Sequence, residues 1–145
     1  MSGLDDINIQ EAYERVREDK EDINWILISY AGPTGSMLTL TEAGTGGINE
    51  LAKKFDKKEV QYGYVRVEYA NDKESTRVKF VVVTWIGEEC RVMRRAKATA
   101  ESSAVKVKFT HHRAITTGDR NELKEEDVVA ALRKSGGADY NGGRG

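Results

Sequence analysis

The sequence predicts one α/β domain of the α+β type, a mixed central β-sheet flanked by helices on both faces. Three observations carry that expectation. Residues 23–30 (INWILISY) and 78–86 (VKFVVVTWI) are apolar at successive positions, as strands covered on both sides are. Segments with helical spacing of apolar residues alternate with strand-like ones in the order α-ββ-α-ββ-α-β-α. The chain has 145 residues, 39% apolar and 32% charged, which is long enough for a core and too apolar for a disordered segment.

Taken in order, Asn8 with Glu11 reads as a capping box that opens the first helix, and Ile9, Ala12, Tyr13 and Val16 share one of its faces. Residues 23–30 are the first strand, residues 31–35 (AGPTG) a turn, and residues 37–41 alternate as the second strand. Ile48, Leu51, Ala52 and Phe55 mark a short amphipathic helix just after Gly46-Gly47. Residues 60–69 form a third strand, rich in aromatic and β-branched side chains. A polar loop over residues 71–75 leads to the fourth strand at residues 78–86, the most apolar run and therefore an expected central strand.

Residues 91–104, basic and rich in alanine, read as helix on propensity. Residues 105–109 (VKVKF) alternate with period two, and pattern alone leaves them open between helix and strand. Residues 114–117 make a short final strand. The last helix is expected to open at Asp119 and Glu122, bury Val128, Val129 and Leu132, and end at Arg133 and Lys134 before Gly136-Gly137. Residues 1–140 form the expected domain and residues 141–145 (NGGRG) a flexible tail.

Composition narrows the function. Twenty-three Lys and Arg against 24 Asp and Glu give no basic excess, which disfavours nucleic acid as a partner. The single cysteine, Cys90, has no intramolecular disulfide partner and reads as a free thiol. The start MSGLDD lacks the basic and apolar parts of a secretory leader, and no apolar run reaches membrane-spanning length, so a cytoplasmic protein is expected. Gly44-Thr45-Gly46-Gly47 lacks the Lys-Ser/Thr of a phosphate loop and reads as a turn. His111-His112 are adjacent, do not share one face, and have no further ligand types nearby. No nucleophile sits in a recognisable motif, so no catalysis, metal or cofactor is expected. A hydrolase would require a nucleophile and base meeting in one pocket, which sequence does not show.

Charge is asymmetric in one place. Between residues 91 and 113, Arg91, Arg94, Arg95, Lys97, Lys106, Lys108 and Arg113 are countered only by Glu101. The plain reading is a solvated face. The functional reading is a docking surface, because like charges on one helix repel until an acidic partner offsets them. Acidic protein, anionic lipid and nucleic acid are the candidate partners; the basic residues lack interleaved aromatics, which weakens the last.

Residues 77–88 (RVKFVVVTWIGE) resemble the signature strand of coactosins and related actin-depolymerising-factor homology domains. Arg95-Ala96-Lys97 is similar to the opening of that family's long helix, and residues 132–140 (LRKSGGADY) are similar to the coactosin C-terminus. Residues 13–19 and Trp25 also fall where the family places its first helix and strand. The resemblance covers about residues 5–140. It implies the gelsolin-like fold, one long helix from about Val92 to His111, no cofactor, no catalysis, and a place on the cytoskeleton.

The resemblance also implies a cytoplasmic, monomeric protein whose partner is filamentous actin. Its long helix would dock between two actin subdomains through Arg94, Arg95, Lys97 and Lys106. A second surface, made of Arg77, Lys79 and Arg133 or Lys134, would touch the neighbouring subunit of the filament. Residues 90–94 (CRVMR) are more basic than the family pattern, which raises monomeric actin and anionic phospholipid as further partners; nucleic acid is not expected. Residues 110–118, with the histidine pair, also depart from the pattern. Trp85, Ile86 and Gly87 read as core and strand-end residues. Lys79 has two readings: a stem over apolar neighbours with the ammonium in water beside Arg77, or an internal pair with a carboxylate such as Glu68.

Overall fold

The computed structural model describes residues 3–72 and 75–141. Its elements are α1 (Ile7–Arg17), β1 (Trp25–Tyr30), β2 (Leu38–Gly44), α2 (Gly47–Lys54), β3 (Val60–Ala70), β4 (Thr76–Ile86), α3 (Val92–Lys108), β5 (Arg113–Thr117), a 3-10 turn (Arg120–Leu123) and α4 (Glu125–Asn141). The five strands form one sheet in the order β2-β1-β3-β4-β5. Only β4 and β5 run parallel, so the sheet is mixed as expected. β4 is an interior strand, while β3 holds the middle position.

Alternation along the strands sorts the core into two layers. On one face Ile26, Ile28, Tyr62, Tyr64, Phe80 and Val82 pack against α1 and α3. On the other, Leu27, Val65, Val67, Val81, Val83 and Trp85 pack against α2 and α4. Trp85 is fully buried, stacks on Phe55 with centroids 4.9 Å apart, and donates from Nε1 to the Asp56 carbonyl at 2.9 Å. Gly87 follows because a Cβ there would lie 2.2 Å from the Lys57 carbonyl oxygen. These residues are core and strand end, as the sequence implies.

Three boundaries correct the expectation. The cap of α1 is Asp6, whose carboxylate accepts the Asn8 amide at 2.7 Å, so the Asn8–Glu11 box is not formed. Asp119 caps the separate 3-10 turn by accepting from the Asn121 amide at 2.9 Å, and α4 begins only at Glu125. α4 then continues through Gly136-Gly137 to Asn141; glycine weakens a helix by about 1 kcal/mol but does not forbid it. Of the expected tail, residues 142–145 lie outside the described residues.

The ambiguous segment at residues 105–109 is helix up to Lys108, with Val105 and Phe109 both buried. The helix stops short of His111 because the chain is caught by the first core layer. The Thr110 amide donates to Tyr13 Oη at 3.1 Å, and the Thr110 carbonyl accepts from Arg17 at 3.2 Å and from Tyr64 Oη. The His112 amide then donates to the Phe80 carbonyl at 2.7 Å and starts the β4–β5 pairing.

Candidate protein-binding surfaces

On α3, residues 94, 98, 102 and 105 form the buried stripe, which decides where each predicted contact falls. Arg95 and Lys97 lie off that stripe and are exposed, while Lys106 is half-buried. Arg95 donates from Nη2 to the Gly87 carbonyl at 3.2 Å, which holds its side chain along the start of the helix. Arg94 departs from the expectation of a solvent-facing contact. It is only 8% exposed. Its guanidinium lies 3.8 Å over the Tyr30 ring and donates to the carbonyls of Gly32, at 3.0 Å, and Gly35.

The same helix face presents apolar residues that charge reasoning passes over. Val92, Met93 and Val107 are 78%, 71% and 86% exposed. A groove of about 360 Å³ lies beside Val107 at the C-terminal end of the helix, lined by Leu4, Asp5, Ser103, Ala104, Val107 and Lys108. The signal becomes readable once the buried stripe is known: these side chains fall on the wheel opposite it, where a merely solvated helix is polar.

Glu101 lies on the flank of α3 and reaches the loop between β1 and β2. Its carboxylate accepts Ser36 Oγ at 2.6 Å and Tyr30 Oη at 2.5 Å, and Tyr30 Oη is 2.8 Å from Tyr62 Oη. Burial pushes the Glu101 carboxyl up, but the hydroxyl donors of Ser36 and Tyr30 and the charges of Lys97 and Arg94 outweigh it and hold the group below its usual value. Tyr30 is shifted upward, first by burial and then by its bond to Glu101.

The second group assembles on the opposite layer. Arg77 and Lys79 pair in register with Tyr69 and Val67, so all four side chains leave the sheet on the α4 face. Arg133 of α4 sits over the Tyr69 ring, 5.4 Å from its centroid, and donates to the Ala70 carbonyl at 2.7 Å. Arg77, Lys79 and Arg133 are thereby brought together, and Lys134 is exposed beside Arg133 on the helix. Glu68 pairs in register with Val78, on the other face, where it approaches Arg66 Nε at 3.2 Å. The internal Lys79–Glu68 pair is therefore not formed. Lys79 is half-buried and makes no ion pair among the described residues.

His112 stands just before β5, beside Phe80 of β4. Its Nδ1 accepts the Phe80 amide at 2.9 Å while its own amide donates to Phe80, so the imidazole stands in for one more residue of β5. Burial first, then the charges of Lys79, Arg17 and His111, depress its pKa. No group of His, Cys, Asp and Glu suited to a metal occurs among the described residues, and no helix there is long and apolar enough to cross a membrane.

The chain matches the family model described as cofilin/tropomyosin-type actin-binding protein over residues 1–133. It is 33% identical to the coactosin of Dictyostelium discoideum over 99% of this chain and 98% of that one. It is 31% identical to the coactosin-like protein of Homo sapiens, covering 90% of this chain and 89% of that one. The fold superposes on the crystal structure of human coactosin-like protein with a TM-score of 0.81 at 27% identity, over 92% of this chain and 99% of that chain. It also matches mouse coactosin, described as an actin filament binding protein, with a TM-score of 0.74 at 27% identity, over 97% and 96% of the two chains. With family model, sequence relatives and fold in agreement across nearly its whole length, the chain belongs to the actin-depolymerising-factor homology family as a coactosin-like member.

Proposed function

We propose that this protein binds along actin filaments through two surfaces, one on α3 and one formed by the start of β4 with α4, without catalysis. The observation that carries the reading is the cluster of Arg77, Lys79 and Arg133 on the layer opposite α3. A monomer offers one docking cleft for α3. A second cationic surface across the sheet gains a partner only when a neighbouring subunit is present. The α3 surface would combine Arg95, Lys97 and Lys106 with exposed Val92, Met93 and Val107, giving an apolar centre with a basic rim. Arg94 supports this surface from beneath. The relationship to mouse coactosin favours filamentous actin over the lipid and nucleic-acid readings.

Co-sedimentation with actin filaments, beside a binding assay with monomeric actin, tests the proposal. The expected result is pelleting with filaments, weak monomer binding, and affinity that declines as salt rises, since exposed charge pairs are screened over about 10 Å at 0.1 M. Equal affinity for monomer and filament would remove the second surface from the account.

A further inference from the structure

Glu101 is the single acid in the basic window from residue 91 to residue 113. On charge alone it weakens a surface meant for an acidic partner, so a helix without it would bind better. Its geometry gives it a different part. Ser36 and Tyr30 both donate to its carboxylate, at 2.6 and 2.5 Å, from the loop that joins β1 to β2 and from the strand before it. Arg94, about two turns earlier on α3, takes the carbonyls of Gly32 and Gly35 from the same loop. Gly35 has φ +89°, a conformation open to glycine, in the segment whose carbonyls turn toward Arg94.

Loop and helix are thus joined at two levels along the helix axis, once by a cation and once by an anion. The buried stripe of Ala98, Ser102 and Val105 already seats α3 on the sheet; the two polar links add to it and tie the helix to the β1–β2 loop at two points along its axis. That in turn sets the direction in which Met93, Lys97 and Val107 project. We propose that Glu101 is a positioning residue of the α3 binding surface, acting through Ser36 and Tyr30 and paired in this role with Arg94. The proposal rests on the reading of α3 as an actin-binding surface.

The test compares Glu101→Ala, Glu101→Gln, Ser36→Ala and the double variant Ser36→Ala/Glu101→Ala in filament co-sedimentation. Glu101→Ala should weaken binding about fivefold although it makes the helix more basic. Ser36→Ala, which changes no charge and lies off the helix, should act in the same direction. The double variant should bind no worse than Glu101→Ala, because both substitutions remove one shared hydrogen bond. Glu101→Gln still accepts from Tyr30 and should retain most binding, which separates positioning from a failure to fold. Unchanged or tighter pelleting of Glu101→Ala overturns the proposal. Amide hydrogen exchange on the free protein decides it independently of actin. In Glu101→Ala (or in Glu101/Ser36 doubly substituted protein, should one substitution be insufficient) residues 31–37 and α3 should exchange faster while the β3–β4 ladder stays protected. Unchanged exchange in both refutes the role of Glu101 even if the parent itself does not pellet, an outcome that would count against the actin reading alone.

Discussion

Arg133 lies over the ring of Tyr69, 5.4 Å from its centroid, and Tyr69 in turn faces Arg77 across the β3–β4 ladder. One aromatic ring therefore spaces two cations that would otherwise repel. Arg133→Ala should lower stability by about 1 kcal/mol, through loss of the cation–π contact and the bond to Ala70, as well as weaken filament binding. Arg77→Ala, exposed and without an ion pair among the described residues, should weaken binding with stability nearly unchanged. Chemical denaturation run beside co-sedimentation separates the two; equal stability losses would contradict this assignment.

Lys79 is central to the proposed second surface. With Glu68 on the opposite face, its stem lies between Arg77 and Val81 on one strand and beside Val67 on the next. Lys79→Ala should keep a cooperative thermal transition near that of the parent and lose most filament binding. A folded variant that pellets like the parent would remove Lys79 from the surface.

Reversing Arg95 and Lys97 to Glu tests the α3 surface. Both are exposed, so the double variant should stay within about 0.5 kcal/mol of parent stability per site while binding falls sharply. Arg94→Glu should instead unfold early, because it places an anion beneath the Gly32 and Gly35 carbonyls. Equal thermal midpoints for the two variants would refute the division between contact and support.

Arg66 is a prediction about stability alone. Its guanidinium donates to the carbonyls of Val16 at 2.7 Å, Glu18 at 2.7 Å and Glu21 at 2.8 Å, satisfying acceptors around the end of α1. Arg66→Met should cost about 3 kcal/mol, the scale expected when a buried charged group leaves several acceptors unpaired. Urea denaturation measures it directly, and a loss near zero would mean water replaces the guanidinium.

His112 gives a pH dependence with a definite sign. Its folded pKa is depressed below the ordinary imidazole value of 6.5, so above 6.5 the ring is neutral in both states and the bond from Phe80 is intact. As pH falls below 6.5 the unfolded chain takes up the proton first, and stability declines until the folded pKa is passed. Thermal midpoints should therefore drop between pH 7 and 5 (values on the usual imidazole range) more in the parent than in His112→Gln. Glu101, Asp5 and Glu50 also have lowered pKa values, but their loss falls in the carboxylate range, at lower pH. Identical slopes for parent and variant would exclude His112 as the source.

Much of the fold was legible because burial follows period. Ile9, Ala12, Tyr13 and Val16 declare a helix face, and the apolar run at residues 78–86 declares an interior strand. Pattern alone did not decide residues 105–109, since Val105 and Phe109 satisfy both periods; the family resemblance implied helix, and in the structure α3 runs to Lys108 with Phe109 packed on Tyr13 and Tyr64. The basic residues were hardest. Arg66, Arg94 and Arg120 look like surface charge in sequence, yet each turns to backbone carbonyls distant along the chain. Arginine's fork suits that task, and no local pattern distinguishes it from a solvated side chain. The apolar members of the α3 surface were visible as misplaced residues, but only once the buried stripe was known.

The overhang of β3 and β4 has a mechanical consequence. β1 pairs with β3 only over Gln61 to Val65, and β5 pairs with β4 only over Val81 to Trp85. Beyond those limits, from Val67 to Ala70 and from Thr76 to Lys79, the sheet narrows to a two-stranded ribbon. Two strands twist and flex more readily than five held edge to edge. Arg77 and Lys79 ride on that ribbon, whereas Lys97 rides on a helix fastened to the full sheet. On the two-surface proposal the protein would be stiff at one grip and more compliant at the other, where α4 alone braces the ribbon, like a caliper with one sprung jaw that follows small changes in the spacing it spans.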